Sequence, residues 1–166
     1  YNIGFYASQS AAQNTNYYYN EQQNNESNNN HQDAEGRDIG DIISIYSNFP
    51  QNVYGIVKVN EDIYFESGGM LSVYNLSSNE TSTISNIGLD AHDMTYDGEY
   101  LWIATCDNGN VYGYDLDGNY IGSFNSGFGS CVGITYMGNG QFMSVYPCEN
   151  GPYKIVDYFG NVLEEI

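Results

Sequence analysis

The chain has 166 residues, of which 41% are hydrophobic and 16% aromatic, so it can form one domain with a real core. Its 21 acidic residues outnumber three basic ones, Arg37, Lys58 and Lys154, and the formal net charge is -18. This balance excludes a cationic patch, so nucleic acids and anionic membranes are poor partners. No apolar run approaches the roughly 20 residues of a membrane span.

Asparagine and tyrosine are in excess, with 22 and 18 residues. Uncharged hydrogen-bonding and amphipathic side chains are typical of surfaces that meet water, sugars or other proteins. We therefore expect an extracellular or cell-surface location. An AT-rich genome, whose codons favour Asn, Tyr and Ile, would produce the same bias without any selection for function.

The first predicted element is an irregular four-stranded unit over residues 1–47. Residues 3–7 and 16–20 have strand-like composition, whereas the Asn- and Gln-rich segment 20–35 predicts a long polar loop. Residues 36–46 align with later parts of the chain and supply the last two strands. Alternatively, the first strand adds to the sheet edge of a neighbouring copy.

The second predicted unit covers residues 53–86 and alternates β-branched or aromatic runs with turn residues. It contains two N-glycosylation sequons, at Asn75 and Asn79, and a third sequon lies upstream at Asn25. Chance sequons are expected in a chain so rich in asparagine. The three are candidate acceptors in a host that glycosylates secreted proteins.

The third predicted unit, residues 92–125, has the strongest local signals. Asp-Gly and Asn-Gly pairs separate four short runs of strand-forming residues, which predicts a meander of hairpins. The segment Asp115-Leu-Asp117-Gly-Asn119 begins like a calcium loop but lacks the distant glutamate ligand. A two-residue hairpin turn is the better interpretation.

A metal site is a candidate at the start of this unit, where Asp90, His92 and Asp93 place carboxylates beside an imidazole. Calcium would prefer the oxygens, whereas a transition metal would need the histidine. Calcium is thus the cofactor we consider. The competing interpretation is a loop in which Asp90 and Asp93 cap turns.

The fourth predicted unit covers residues 131–166 and carries two of the three cysteines. Cys131 begins its first strand and Cys148 ends its second, so antiparallel pairing predicts a Cys131–Cys148 disulfide. A bond between Cys106 and Cys131 is the rival, and three reduced core cysteines are the alternative to both. The spacing excludes a CxxC zinc or redox motif.

These units recur about every 40 residues, as the predicted first-strand positions Val57, Met94 and Ile134 indicate. Leu76, Leu116 and Tyr158 mark the third strands in the same way. A four-stranded unit of this period predicts an all-β chain, a small β-propeller of about four antiparallel blades whose first blade is irregular.

The third unit also resembles the blades of the NHL, YVTN and related propeller families. The matching segments are Asp97-Gly98, Leu101-Trp102-Ile103, Gly109-Asn110, Tyr114-Asp115 and Asp117-Gly118-Asn119. The resemblance implies a propeller whose relatives are mostly noncatalytic but include lyases and cyclotransferases. It therefore leaves function open.

Catalytic motifs have little support in the sequence. Residues 129–133 copy a GxCxG pattern, but a strand follows where a nucleophile elbow needs a helix. We therefore expect a noncatalytic extracellular protein that binds copies of itself in a surface filament, tube or sheath. The alternatives are a glycan- or protein-binding module and a small lyase or hydrolase that uses His92.

Overall fold

The computed structural model describes residues 52–130, 133–146 and 152–166. The predicted first unit, residues 1–47, lies outside the described residues. Within them the chain forms twelve strands in three four-stranded antiparallel sheets, each a simple meander, and no helix. The predicted all-β fold of repeated blade-like sheets is confirmed for these residues. None of the described residues belongs to a helix that could cross a membrane.

The strand bounds follow the predicted turns. Sheet 1 contains β1 (Tyr54–Val59), β2 (Asp62–Ser67), β3 (Met70–Asn75) and β4 (Glu80–Asn86). Sheet 2 contains β5 (Ala91–Tyr96), β6 (Leu101–Thr105), β7 (Asn110–Tyr114) and β8 (Tyr120–Asn125). Sheet 3 contains β9 (Gly133–Gly138), β10 (Gln141–Val145), β11 (Lys154–Asp157) and β12 (Val162–Glu165).

The register corrects one predicted landmark, because Ile56 and not Val57 is equivalent to Met94 and Ile134. Ile56 pairs with Phe65, as Met94 pairs with Ile103. Both strands have a register irregularity near their start, between Tyr54 and Ile56 in β1 and between Ala91 and Asp93 in β5. Since apolar residues occupy both positions 56 and 57, alternation alone could not fix the register there.

The core lies between the sheets in two apolar layers. Between sheets 1 and 2, the layer centres on buried residues that include Leu71, Met94 and Leu101. Between sheets 2 and 3, it centres on Trp102, Phe124 and others. Each sheet has alternating side chains on two faces, so a middle sheet contributes one face to each layer.

The first strands of sheets 2 and 3 are also joined by polar bonds. An Asp93 oxygen, Oδ2, accepts the backbone N–H of Ile134 at 2.8 Å, and the Thr95 hydroxyl accepts that of Tyr136 at 3.1 Å. These bonds satisfy two N–H groups at the edge of β9. They fix the position of β9 relative to β5, and so of sheet 3 relative to sheet 2.

Candidate functional site

An open depression of about 470 Å³ lies where sheet 2 meets sheet 3. It is surrounded by the β5–β6 turn, by β8 and by two tyrosines of sheet 3. The lining residues are Asp97, Glu99, Tyr100, Trp102, Ile121, Tyr136 and Tyr158. A concave, mostly aromatic surface with a few polar groups is the usual form of a small-molecule site.

Asp97 is the central polar group of this depression. Its Oδ1 accepts the backbone N–H groups of Glu99 at 2.8 Å and Tyr100 at 2.7 Å. Its Oδ2 accepts the indole N–H of Trp102 at 2.7 Å and the phenol of Tyr158 at 2.8 Å. One carboxylate therefore closes a turn in sheet 2 and bonds to the neighbouring sheet.

The β5–β6 connection explains why Asp97 takes this position. Gly98 adopts a φ of 107°, which side chains disfavour, and the chain reverses so that the N–H of Asp97 bonds to the carbonyl of Tyr100. An aspartate before such a turn accepts N–H groups two and three residues on. The Asp-Gly hairpin signal predicted the turn but not the bond to Tyr158.

The aromatic wall is continuous with the core behind it. The Trp102 ring centroid lies 5.3 Å from that of Phe124, and 5.4 Å from those of Phe142 and Tyr158. Tilted and edge-on rings at these distances are favourable arrangements. The depression therefore has a rigid floor, and its shape is set by the packing of two sheets.

The depression carries negative charge. Partial burial alone would raise the pKa of Asp97, but the hydrogen bonds from Tyr100, Trp102, Glu99 and Tyr158 hold it below its usual value. Burial and the bond to Asp97 raise the pKa of Tyr158 well above that of a free phenol. At neutral pH the site therefore holds an ionised carboxylate and a neutral phenol.

Asp97 and Tyr158 are polar residues at repeat positions where the other sheets have apolar residues. Val59 of sheet 1 and Met137 of sheet 3 occupy positions equivalent to Asp97. Each follows the residue that pairs with an equivalent second-strand position, which is Ile63 in sheet 1, Leu101 in sheet 2 and Phe142 in sheet 3. Leu76 and Leu116 occupy the position of Tyr158. Between sheets 1 and 2 the equivalent pair, Val59 and Leu116, belongs to the apolar layer.

The predicted metal residues have other roles where they are described. Asp90 and His92 are exposed, and the His92 ring stacks on Tyr54 with centroids 6.2 Å apart. The Asp93 carboxylate accepts the N–H groups of Met94 and Ile134. Among residues 52–130, 133–146 and 152–166, no three His, Cys, Asp or Glu side chains are grouped to hold a metal. The calcium hypothesis gains no support from this site.

Glu66 was not singled out by the sequence, yet it is the most deeply buried acid of sheet 1, at 1% exposure. Its Oε1 accepts the N–H of Gly69, and its Oε2 has no partner. Burial raises its pKa, and the negative charge of Asp90 raises it further. It occupies the layer position that Ala104 holds in sheet 2, so we assign it to packing.

The Asp115 segment forms a turn, as expected, but a longer one than the predicted two-residue hairpin. The N–H of Asp115 bonds to the carbonyl of Asn119, and the Asp115 carboxylate accepts the N–H groups of Asp117 and Asn119. Gly118, at a φ of 80°, permits the extra residue. Asp157 and Asn161 repeat the arrangement in sheet 3.

The remaining predicted sites differ in how far the structure describes them. Cys131, Cys148 and Asn25 lie outside the described residues, so the disulfide and that sequon stay predictions. Asn75 is used in a turn: its Oδ1 accepts two N–H groups and its Nδ2 donates to Asp62 at 2.7 Å. Asn79 is exposed at the end of the same turn.

Sheet 3 has an outward face that continues the pattern of the two layers. The sheet 2 positions that face sheet 3 are Trp102, Ala104, Val111, Gly113, Ile121 and Phe124. The equivalent sheet 3 positions are Met143, Val145, Tyr153, Ile155, Leu163 and Ile166. Tyr153 and Ile166 are paired through their backbones, as Val111 and Phe124 are. Leu163 and Ile166 are 51% and 60% exposed. We call these six residues the outward face of sheet 3.

Solved structures with a similar fold are β-propeller proteins. U3-55K aligns with a TM-score of 0.57 and 11% identity over 74% of this chain and 41% of its own. Virginiamycin B lyase from Staphylococcus aureus aligns with a TM-score of 0.52 and 20% identity over 69% of this chain and 40% of its own. BamB from Moraxella catarrhalis aligns with a TM-score of 0.51 and 14% identity over 68% and 34%.

These similarities establish a propeller-type fold and no more, because the identities are low. The chain spans about a third to two fifths of the length of these three structures. No protein-family model matches the sequence, and no curated protein matches it either.

Proposed function

We propose that this chain is a noncatalytic, self-associating propeller protein of the cell exterior. The observation that carries the proposal is the outward face of sheet 3, where all six positions are apolar. Of the equivalent positions of sheet 2, Ile121 lines the depression and the others are buried against the neighbouring sheet. Exposed apolar surface of this kind marks an interaction site.

The occupant we propose is a second copy of the chain. Sheets pack face to face twice within this chain, so a third contact of the same geometry needs no new type of surface. The contact we propose joins two sheet 3 faces, and such a two-fold contact closes.

A filament, tube or sheath would need a second contact between such pairs. The Asn- and Gln-rich segment 20–35 is our candidate for it, since amide side chains can form ladders between chains. The net charge of -18 opposes every contact between copies. We propose that divalent cations, calcium above all, promote assembly by screening this repulsion.

The exterior location rests on composition and on the exposed sequon at Asn79. The noncatalytic character is supported by His92, the one histidine of the described ranges, which is exposed and stacks on a tyrosine. For the finer fold, we propose about four blades related to those of the NHL and YVTN families, in a ring that is left open at the outward face of sheet 3. The aspartate turn that recurs at Asp115 and Asp157 supports that relationship.

Sedimentation velocity of the full chain tests self-association. We expect concentration-dependent pairing that Tyr153→Ser and Ile166→Ser weaken at least tenfold, whereas the matched surface change Tyr120→Ser does not. Tyr120 is 57% exposed on sheet 2, against 49% for Tyr153. A monomer at all concentrations, with or without calcium, would rule the proposal out. Assembly indifferent to chelator and salt would rule out the role of cations.

A second candidate function is a glycan- or protein-binding module, and the depression at Asp97 favours it. Aromatic rings that stack on ligands, together with carboxylates, are typical of such sites. Binding of the full chain on a glycan array, lost in Tyr100→Ala, would support a glycan ligand. Equal glycan binding by the variant and the unmodified chain would show that the glycan binds at another site.

A further inference from the structure

The depression at Asp97 combines aromatic rings with negative charge alone. Its charged lining residues are Asp97 and Glu99, and both are acidic. Of the described basic residues, Lys154 bonds to the carbonyl of Gly127 and lies over the Phe128 ring, and Lys58 does not line the depression. An anionic ligand would therefore meet repulsion without any compensating group.

We infer that the depression binds an alkylated ammonium cation of the trimethylammonium type. The inference rests on the second candidate function, since it assumes that the depression is a binding site. Four aromatic side chains, Tyr100, Trp102, Tyr136 and Tyr158, contribute to the lining. Aromatic faces attract cations, and several rings around one cation are a known means of recognising quaternary ammonium groups.

The hydrogen bonds of Asp97 favour this class over ligands that need acceptors. A carboxylate offers about four acceptor positions, and Asp97 already receives four hydrogen bonds. It therefore contributes negative charge but no free acceptor. A trimethylammonium group has no N–H or O–H to donate, whereas a sugar hydroxyl or a primary ammonium group does.

Glu99 supplies a second charge at the rim. Its side chain is exposed, and its Oε1 accepts the phenol of Tyr100 at 2.6 Å. Among the described residues, no cationic side chain forms an ion pair with Asp97 or Glu99, and Lys154 pairs with Glu165 instead. The charge of -18 on the whole chain attracts cations at longer range.

Trp102 makes the test direct, because it is the single tryptophan of the chain and lines the depression. Choline is titrated into the full-length protein at constant ionic strength while tryptophan fluorescence is followed. Its uncharged isostere 3,3-dimethyl-1-butanol is titrated in parallel. We expect saturable binding of choline and at least tenfold weaker binding of the isostere.

Two variants locate the effect. Glu99→Gln removes one charge at the rim, and we expect choline affinity to fall about threefold. Glu80→Gln makes the same change at an exposed site on β4 and should leave affinity unchanged. Absence of saturable choline binding, equal binding of the isostere, or equal losses in both variants would overturn the inference.

Further measurements identify the source of the cation and distinguish failure of this inference from failure of the binding function. A trimethyllysine peptide and phosphatidylcholine vesicles carry the same group, and the one that competes with choline identifies the source. If a glycan changes the Trp102 fluorescence saturably and choline does not, the cation inference fails while the binding function stands. If nothing binds near Trp102, both fail.

Discussion

The phenol of Tyr158 donates a hydrogen bond of 2.8 Å to Asp97, a residue 61 positions earlier in the chain. It joins two sheets that are otherwise held mainly by apolar packing. At the equivalent place between sheets 1 and 2 the chain has Val59 and Leu116. A polar pair has therefore replaced an apolar pair at one position of the repeat.

Tyr158→Phe should destabilise the protein by about 1 kcal/mol. A hydrogen bond to a charged group contributes about 1.5–3 kcal/mol, and the partial exposure of Asp97 reduces this. Urea unfolding at pH 7 measures the loss. Tyr120→Phe is the matched control, because its hydroxyl bonds only to the nearby Ser123. Equal effects of the two changes would contradict the assigned role of Tyr158.

The stability given by Asp97 should depend on pH. Because its pKa is lowered in the folded state, its contribution is present above the unfolded pKa of about 3.9 and is lost as pH falls through the folded value. Asp97→Asn should therefore be less stable than the unmodified chain at pH 7, with a smaller gap near pH 3. A gap that does not narrow in urea unfolding would refute this linkage.

Glu66→Gln should show the opposite trend. Burial raises the pKa of Glu66, so its folded form favours the proton, and stability falls as pH rises from about 4.3 through the folded pKa. The glutamine variant lacks this titration. Its stability relative to the unmodified chain should rise between pH 4 and pH 7, as followed by thermal or urea unfolding. Parallel curves for the two proteins would show that Glu66 is not perturbed.

Gly109→Ala should be strongly destabilising. A β-carbon there would lie 1.8 Å from the carbonyl oxygen of Phe128, and the backbone φ is 67°. The positive φ alone costs about 1–3 kcal/mol, and the clash adds to it. Gly68→Ala is the control, because its φ is 61° and a β-carbon would meet nothing within 4 Å. Urea midpoints should fall much more for Gly109→Ala; similar falls would deny the close contact.

Glycosylation, if the host supplies it, should be found at Asn79 in preference to Asn75 in folded material. The Asn75 side-chain amide already donates to Asp62, and a glycan on that nitrogen would compete with this bond. Asn79 is exposed. Mass spectrometry of secreted protein should show a glycan that Asn79→Gln removes and Asn75→Gln does not. A glycan retained only at Asn75 would contradict this.

The repeat was predictable because Asp-Gly and Asn-Gly turns depend on local backbone conformation, which a short segment determines. Asp115 and Asn119 illustrate this, since the turn closes through bonds within five residues. The role of Asp97 in joining two sheets was not predictable in the same way. Tyr158 is remote in sequence, and only the register of two sheets brings its hydroxyl to the carboxylate. A signal did exist, since Asp97 stands where the neighbouring units have Val59 and Met137.

Glu66 illustrates a different limit. Glu66 follows the apolar run Ile63-Tyr64-Phe65, so β2 has no alternation that would assign the glutamate to the buried or the solvent-facing side. Its burial follows from the sheet packed against it, which no local pattern reveals.

The Asp97–Tyr158 pair also bears on how such a chain could have grown by duplication. A copy of sheet 2 followed by another copy of sheet 2 would place Asp97 against Leu116 and leave the carboxylate without its phenol. The two residues must therefore be inherited in adjacent units and in that order. The bond between them thus depends on the order of the two units along the chain.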